Sequence, residues 1–193
     1  LARMTDPNLA ATMAEAVLAW TLYLHRDMPK YAEQQKKRIW KQQPFVRAHE
    51  RTVGILGLGK LGLKAVEKLL AADFKVAGWS RSKKDIEGVK TFAGDRGLTE
   101  LLECSDIVVC LLPHTPATWN LLKEDTFAAM KQGSSLINFG RGAVVEPDSL
   151  IAALDSGHLK CAVLDVFKKE PLPEDNVLWS HPKITILPHI SAP

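Results

Sequence analysis

The chain has 193 residues, of which 46% are hydrophobic and 24% are charged, as in ordinary soluble globular proteins. Its formal net charge of +3 is too small to indicate a nucleic-acid partner, and no apolar run approaches the roughly 18 residues that a membrane span needs. The three cysteines lack metal-ligand spacing, so they predict neither a disulfide framework nor a metal site and favour a reducing, cytoplasmic setting.

The first fifty residues are predicted to be helical. Asp6 and Pro7 indicate a helix start with Asn8 as its cap, and apolar residues recur at helical spacing from there to His25. One stripe of this helix carries Met13, Val17, Trp20 and Leu24.

A second helix is predicted from Pro29 to about Gln42, because proline is tolerated in the first turn of a helix. Basic residues in this helix surround Ile39 and Trp40. The pattern by itself favours a solvated basic face, with Trp40 packed under a neighbouring element.

From Arg51 onward, strands and helices alternate. Short apolar strands between amphipathic helices predict a parallel sheet with helices on both of its faces. We therefore expect a helical segment over residues 1–50 and an α/β, doubly wound domain over residues 51–193. The predicted strands are Val53–Leu56, Phe74–Trp79, Ile107–Leu112, Ser135–Phe139, Cys161–Val166 and Ile184–Leu187, and the predicted helices are Lys60–Ala71, Leu98–Cys104, Lys123–Lys131 and Pro147–Ser156.

Gly57, Gly59 and Gly62 form the pattern G-x-G-x-x-G between the first of these strands and its helix. In that context the pattern predicts a dinucleotide site of the Rossmann type. Gly57 permits a tight turn, Gly59 lets the backbone approach the pyrophosphate, and Gly62 lets the helix lie close to the strand. The N-terminus of the helix would then face the negative charge.

The end of the second strand predicts which dinucleotide is bound. An NAD site usually has an acid there for the ribose 2′-hydroxyl, whereas this chain has Ser80, followed by Arg81, Ser82 and Lys83. With no carboxylate to repel it, a 2′-phosphate can be held by the Arg81 guanidinium with support from Ser82 and Lys83. A plain basic surface turn is the alternative. The sequence favours NADP, with NAD possible.

Further polar side chains lie at the carboxyl ends of predicted strands, where open α/β sheets bind their ligands: Arg141, Asp165, Glu170 and His189. Hydride transfer to a carbonyl carbon leaves negative charge on the oxygen, which then needs a proton donor. His189 suits that role because imidazole ordinarily titrates near neutral pH. A carboxylate such as Glu170 would orient the ring and favour the imidazolium, and Arg141 can bind a 2-oxo acid.

Four motifs, taken in order, resemble the D-isomer-specific 2-hydroxyacid dehydrogenases, which have a Rossmann-type cofactor domain. They are Val53–Gly62, Asn138–Gly142, Asp165–Pro173 and Pro188–Ile190. Residues 78–82 and 89–94 are most similar to the glyoxylate/hydroxypyruvate reductases of that family, which prefer NADPH. The resemblance implies that Arg141 binds the substrate, that Glu170 is the partner of the histidine, and that His189 is the catalytic acid/base.

The resemblance also implies contacts beyond this set. It implies a homodimer in which Trp40 reaches the active site of the partner subunit and the Met13–Leu24 stripe becomes a dimer contact. Arg141 and His189 would also lie against the cofactor. Further cofactor contacts are implied for Lys60, Leu61, Leu112, Pro113, His114, Thr118, Gly140 and Asp165, the last facing the nicotinamide carboxamide.

Members of this family fold as two domains, with a substrate domain built from both chain ends. This sequence begins where the first part of that domain should finish and stops four residues after His189. On this comparison we expect the substrate domain to be missing, so that the polypeptide binds NADPH but reduces its substrate poorly or not at all.

Two alternatives remain open from the sequence. The first is an NAD-linked relative that acts on phosphoglycerate or another 2-hydroxy acid, which the basic run after Ser80 disfavours. The second is a non-catalytic, dinucleotide-sensing module like the dehydrogenase-like corepressors. Arg141, Glu170 and His189 disfavour that module, because a sensor needs no proton donor.

Overall fold

The computed structural model describes residues 7–192, and within that range seven strands form one parallel sheet. The strands are β1 (Thr52–Leu56), β2 (Lys75–Ser80), β3 (Val89–Ala93), β4 (Ile107–Cys110), β5 (Ser134–Asn138), β6 (Leu159–Leu164) and β7 (Ile184–Ile186). Their order across the sheet is β3-β2-β1-β4-β5-β6-β7. This is the doubly wound Rossmann-type order with one strand added, so the predicted fold class is confirmed.

Helices cover both faces of the sheet. One core cluster joins the sheet to α4, α5 and α6, and a second joins the opposite face to α1 and α3. The helices are α1 (Pro7–His25), α2 (Met28–Lys36), α3 (Lys60–Ala71), α4 (Gly94–Cys104), α5 (Glu124–Ala129) and α6 (Pro147–Asp155), with short 3-10 turns at Ala48–Glu50, Gly142–Val144 and Val177–Ser180.

The central strands are buried along their whole length. Every residue of β4 and β5 is buried, as are the last four residues of β1. Strands covered on both faces have no polar side to expose, so β4 and the buried part of β1 appear in the sequence as continuous apolar runs. This burial fixes the positions of the loops that follow β1, β4 and β5, all at the carboxyl ends of the strands.

Helix α1 packs on α3 and contributes to the core of the chain itself. Met13, Val17 and Leu24 are all buried there, so their interpretation as a dimer contact is wrong. Asn8 lies inside α1 and does not cap it, and Asp6 lies outside the described residues.

Helix α2 ends at Lys36, six residues before the predicted end at Gln42. Arg38 adopts a left-handed conformation with φ of 56°, which no helix continues through. The chain beyond it is irregular, and Trp40 is 100% exposed. The expectation that Trp40 packs under a neighbouring element is therefore wrong.

Strand β3 was not predicted, and α4 begins at Gly94, four residues before the predicted start at Leu98. The other strand and helix boundaries from Arg51 onward agree with the prediction to within two residues, the usual uncertainty of element ends. Across the described range, no helix is long and apolar enough to cross a membrane.

Candidate functional site

The glycine turn lies where the winding of the sheet reverses. β1 pairs with β2 on one side and with β4 on the other, so the connections from β1 and β4 leave toward opposite faces. Ligands of open α/β sheets bind in the crevice at this point, beyond the carboxyl ends of the strands. The predicted dinucleotide site is therefore at the position that the topology favours.

Each glycine of the turn meets a different steric condition. Gly57 has φ of 108°, a conformation that favours glycine. A Cβ on Gly62 would lie 2.0 Å from the Gly57 carbonyl oxygen, so α3 can pack this closely only with glycine there. A Cβ on Gly59 would meet no protein atom within 4 Å. The fold does not require glycine at Gly59, but a pyrophosphate lying against the backbone does, and this fits a dinucleotide.

The segment after β2 presents exposed cations. Ser80 donates a hydrogen bond from its hydroxyl to the Ser82 carbonyl oxygen (2.8 Å), which curls the segment back on itself. Arg81, Ser82 and Lys83 are exposed, and neither Arg81 nor Lys83 forms an ion pair within the described part of the chain. Both cations are thus free to bind a phosphate.

The loop after β4 is closed by a side chain. The Thr118 hydroxyl donates to the Pro113 carbonyl oxygen (2.7 Å) and accepts from the Thr115 amide (2.8 Å). Leu112 is buried, whereas Pro113 and His114 are exposed beside the turn. Thr118 therefore shapes this loop, and its direct contact with a cofactor stays a prediction.

The loop after β5 packs tightly and presents Arg141. A Cβ on Gly140 would lie 2.6 Å from the Leu112 carbonyl oxygen, so the loops after β4 and β5 touch backbone to backbone. The Arg141 side chain is anchored through one bond from Nη1 to the Gly140 carbonyl oxygen (2.7 Å). Arg141 is exposed, which leaves its other donors available to an anion.

Glu170 and His189 form a hydrogen bond, with 2.7 Å between Oε2 of Glu170 and Nδ1 of His189. Burial alone raises the pKa of Glu170, but hydrogen bonds from the Phe167 amide and His189, with the charges of His189 and Arg141, lower the net pKa below 4.5. An ionised carboxylate only accepts, so Nδ1 carries the proton in this contact. Nε2 is the ring nitrogen left for a substrate.

Asp165 is 1% exposed, and both of its carboxylate oxygens are engaged by the segment that carries the histidine. Oδ1 accepts from the Ile190 amide (2.8 Å) and Oδ2 accepts from the Ser191 amide (2.9 Å). His189, immediately before them, has φ of 58°. Asp165 thus fixes the backbone beside His189, a role that the sequence pattern did not indicate. Its contact with the nicotinamide carboxamide stays a prediction.

Lys84 contacts the glycine turn, although no role for it was predicted from the sequence. Its Nζ donates to the Leu58 carbonyl oxygen (2.6 Å), inside the glycine turn. The basic run after Ser80 was the available signal, but nothing in the order of its residues separates a lysine that faces the turn from one that faces outward. Among the described residues, no group of three or more His, Cys, Asp or Glu side chains could hold a metal ion.

Comparison with known proteins shows the family to which the chain belongs. Residues 18–191 match the family model described as "D-isomer specific 2-hydroxyacid dehydrogenase, NAD binding domain". The chain belongs to this family. Its alternating strands, its glycine turn and its Glu170–His189 pair all lie within the matched residues.

Curated relatives of this chain include glyoxylate/hydroxypyruvate reductase A of Yersinia enterocolitica, 38% identical over 192 residues, and that of Serratia proteamaculans, 40% identical over the same length. Each alignment covers 100% of this chain and 61% of the relative. The chain therefore spans about three-fifths of the length of these relatives.

Solved structures agree with this assignment. A D-isomer specific 2-hydroxyacid dehydrogenase from Xanthobacter autotrophicus Py2, in complex with NADPH and MES, is 41% identical with a TM-score of 0.97, and covers 100% of this chain and 80% of that one. The NADPH-dependent glyoxylate/hydroxypyruvate reductase of Sinorhizobium meliloti, in complex with NADP and sulfate, is 38% identical with a TM-score of 0.94, over 99% of this chain and 62% of that one.

Proposed function

We propose that this chain carries the cofactor-binding and proton-donating residues of an NADPH-dependent reductase. The reaction converts a small 2-oxo acid, glyoxylate or hydroxypyruvate, to the corresponding 2-hydroxy acid. The observation that carries the proposal is the 2.7 Å contact between Glu170 and His189, at the sheet edge that also presents the glycine turn. A dinucleotide-sensing module would have no use for a histidine oriented by a carboxylate.

The choice of NADPH rests on the segment after β2. Ser80 replaces the acid expected for NAD, and Arg81 and Lys83 are exposed cations without a partner carboxylate in the described chain. A guanidinium binds a phosphate group through two parallel hydrogen bonds. The Xanthobacter structure is a complex with NADPH and the Sinorhizobium structure is a complex with NADP, which supports the same choice.

The chain's own residues divide the chemistry among them. When bound, the reduced nicotinamide supplies the hydride that adds to the carbonyl carbon of the substrate. Arg141 holds the carboxylate of the 2-oxo acid and polarises its carbonyl through its free donors. His189 gives a proton from Nε2 to the carbonyl oxygen, while Glu170 holds Nδ1 and stabilises the charged ring.

We propose in addition that the active protein is a homodimer. The basis is the irregular segment after α2, where Trp40 is 100% exposed and Phe45 and Ile39 are also exposed. An arm with three large apolar side chains in water is typical of a surface that meets a partner. In this arrangement Trp40 closes the substrate site of the partner subunit. The three free cysteines support a reducing, cytoplasmic setting.

The proposal is tested with the complete gene product. Turnover of glyoxylate and hydroxypyruvate with NADPH is measured for the wild type and for His189→Gln. We expect His189→Gln to lose at least about 100-fold in kcat and to keep its Kd for NADPH, since general acid catalysis contributes about that much. A gene product with both family domains that reduces no 2-oxo acid, or a variant with wild-type turnover, would overturn the proposal.

A further inference from the structure

Lys84 places a positive charge inside the glycine turn. Its Nζ donates to the Leu58 carbonyl oxygen at 2.6 Å in a partly buried position, and it forms no ion pair with any described residue. Because Lys84 has no carboxylate partner among the described residues, its positive charge is available to an anionic ligand that the turn binds.

The Leu58 carbonyl is mechanically linked to the Gly59 amide. The two groups belong to one planar, trans peptide unit, so the C=O and the N–H point in opposite directions. By holding the Leu58 oxygen toward the segment after β2, Lys84 turns the Gly59 N–H the other way. Gly59 precedes the first residue of α3, and backbone N–H groups at the N-terminus of a helix are suited to bind a pyrophosphate.

Both ends of this connection are fixed. The Leu58 side chain is buried and lies against β2, where a Cβ on Gly78 would come within 2.6 Å of it. At the other end, the Thr91 hydroxyl on β3 donates to the carbonyl oxygen of Lys84 (2.5 Å). The lysine therefore extends from an anchored backbone to an anchored turn.

We propose that Lys84 is a cofactor-positioning residue that orients the Gly59 amide toward the pyrophosphate of the bound dinucleotide. The inference rests on the proposed function, because it requires a dinucleotide at this turn. It makes a prediction that separates Lys84 from its neighbour Lys83. The pyrophosphate is common to NADPH and NADH, whereas the 2′-phosphate that Lys83 is expected to contact belongs to NADPH alone.

The experiment measures the Kd of the 193-residue chain for NADPH and for NADH by fluorescence titration. Lys84→Met is expected to weaken both cofactors by about tenfold and to leave their ratio unchanged, which is the usual effect of losing one charged hydrogen bond. Lys83→Met, the matched control, should weaken NADPH selectively. Lys84→Arg should recover most of the loss, and Thr91→Val should show a smaller loss in the same direction.

Thermal unfolding of each variant separates binding from folding. A Lys84→Met chain that unfolds at lower temperature but binds both cofactors like the wild type would overturn the inference, because Lys84 would then serve the fold alone. A loss confined to NADPH would also overturn it, since Lys84 would then contact the 2′-phosphate. If the unmodified chain binds neither dinucleotide, the proposed function fails together with the inference.

Discussion

His189 holds a left-handed backbone conformation, which costs a non-glycine residue about 1 kcal/mol and persists only when its surroundings impose it. Asp165 supplies that constraint through the amides of Ile190 and Ser191. The buried carboxylate and the strained histidine are therefore one unit, in which Asp165 sets the backbone and Glu170 sets the ring.

Asp165→Asn tests this unit. An asparagine of the same shape has one oxygen, so one of the two backbone N–H groups loses its acceptor. We expect the free energy of unfolding to fall by about 1–3 kcal/mol, the cost of one buried unsatisfied group. Urea denaturation measures it, with the exposed Asp175→Asn as the matched control. Equal stability of Asp165→Asn and wild type would show that Asp165 does not hold the segment.

Glu170 predicts a dependence of stability on pH. Its pKa in the folded chain is lowered below 4.5, so its stabilising effect is complete above the unfolded pKa and is lost as the pH falls through the folded value. Between about pH 7 and pH 3, wild type should lose more free energy of unfolding than Glu170→Gln, which has no group to titrate. Because the Glu170 side chain is 35% exposed, we expect a difference below about 1 kcal/mol. Parallel pH profiles would contradict this.

At the scale of elements, the glycine turn joins β1 to α3 through contacts of two kinds. Gly62 serves the packing of the helix on the turn, whereas Gly59 borders open space. The fold and the ligand thus make separate demands on one short motif, and the two demands can be measured separately.

Gly62→Ala should destabilise the chain by about 3 kcal/mol, because a Cβ placed 2.0 Å from the Gly57 oxygen forces α3 away from the turn. Gly59→Ala should unfold like the wild type and yet lose most of its affinity for NADPH, since the new methyl group occupies the approach of the pyrophosphate. Thermal unfolding and NADPH titration are measured on both variants. If Gly59→Ala bound NADPH normally, the dinucleotide could not lie against this turn.

The elements that could be predicted from the sequence are those whose burial is uniform. β4 is apolar throughout, β1 is apolar after Thr52, and β5 is buried along its whole length; the alternation with amphipathic helices indicated the parallel sheet. β3 could not be predicted in the same way, because this edge strand has a single fully buried residue, Phe92. The start of α4 was hidden by Gly94, which sequence propensity places in a turn.

Parts of the site escaped prediction for a different reason. The pairing of Glu170 with His189 was expected from chemistry, and the structure brings the two side chains together. The contacts of Asp165 and Lys84 join residues 25 or more positions apart to backbone groups. Backbone acceptors and donors are present at every position of a chain, so no residue type in the sequence marks which of them a side chain will reach.

At the scale of the whole molecule, the exposed arm after α2 predicts self-association. Analytical ultracentrifugation of the chain should give twice its mass of 21.3 kDa, and Trp40→Ala with Phe45→Ala should shift the equilibrium toward the monomer, because both remove apolar contact area. Trp179→Ala, at another exposed tryptophan, serves as the control. A wild-type chain that stays monomeric at high concentration would contradict the proposed dimer.

The proposed preference for NADPH depends on one segment, residues 80–83, and on the absence of an acid at the end of β2. The rest of the cofactor site, including the turn and the loops after β4 and β5, would accept either dinucleotide. Specificity for the cofactor is therefore a local property of this segment, to which we expect Arg81 to contribute most.

The most direct test is a titration of the chain with NADPH and with NADH, repeated on Arg81→Ala. We predict that wild type binds NADPH at least about tenfold more tightly than NADH, and that Arg81→Ala loses most of this preference by weakening NADPH alone, as expected for one guanidinium–phosphate contact. Equal affinities in the wild type, or an unchanged ratio in Arg81→Ala, would contradict the proposed NADPH preference and the role of Arg81 in it.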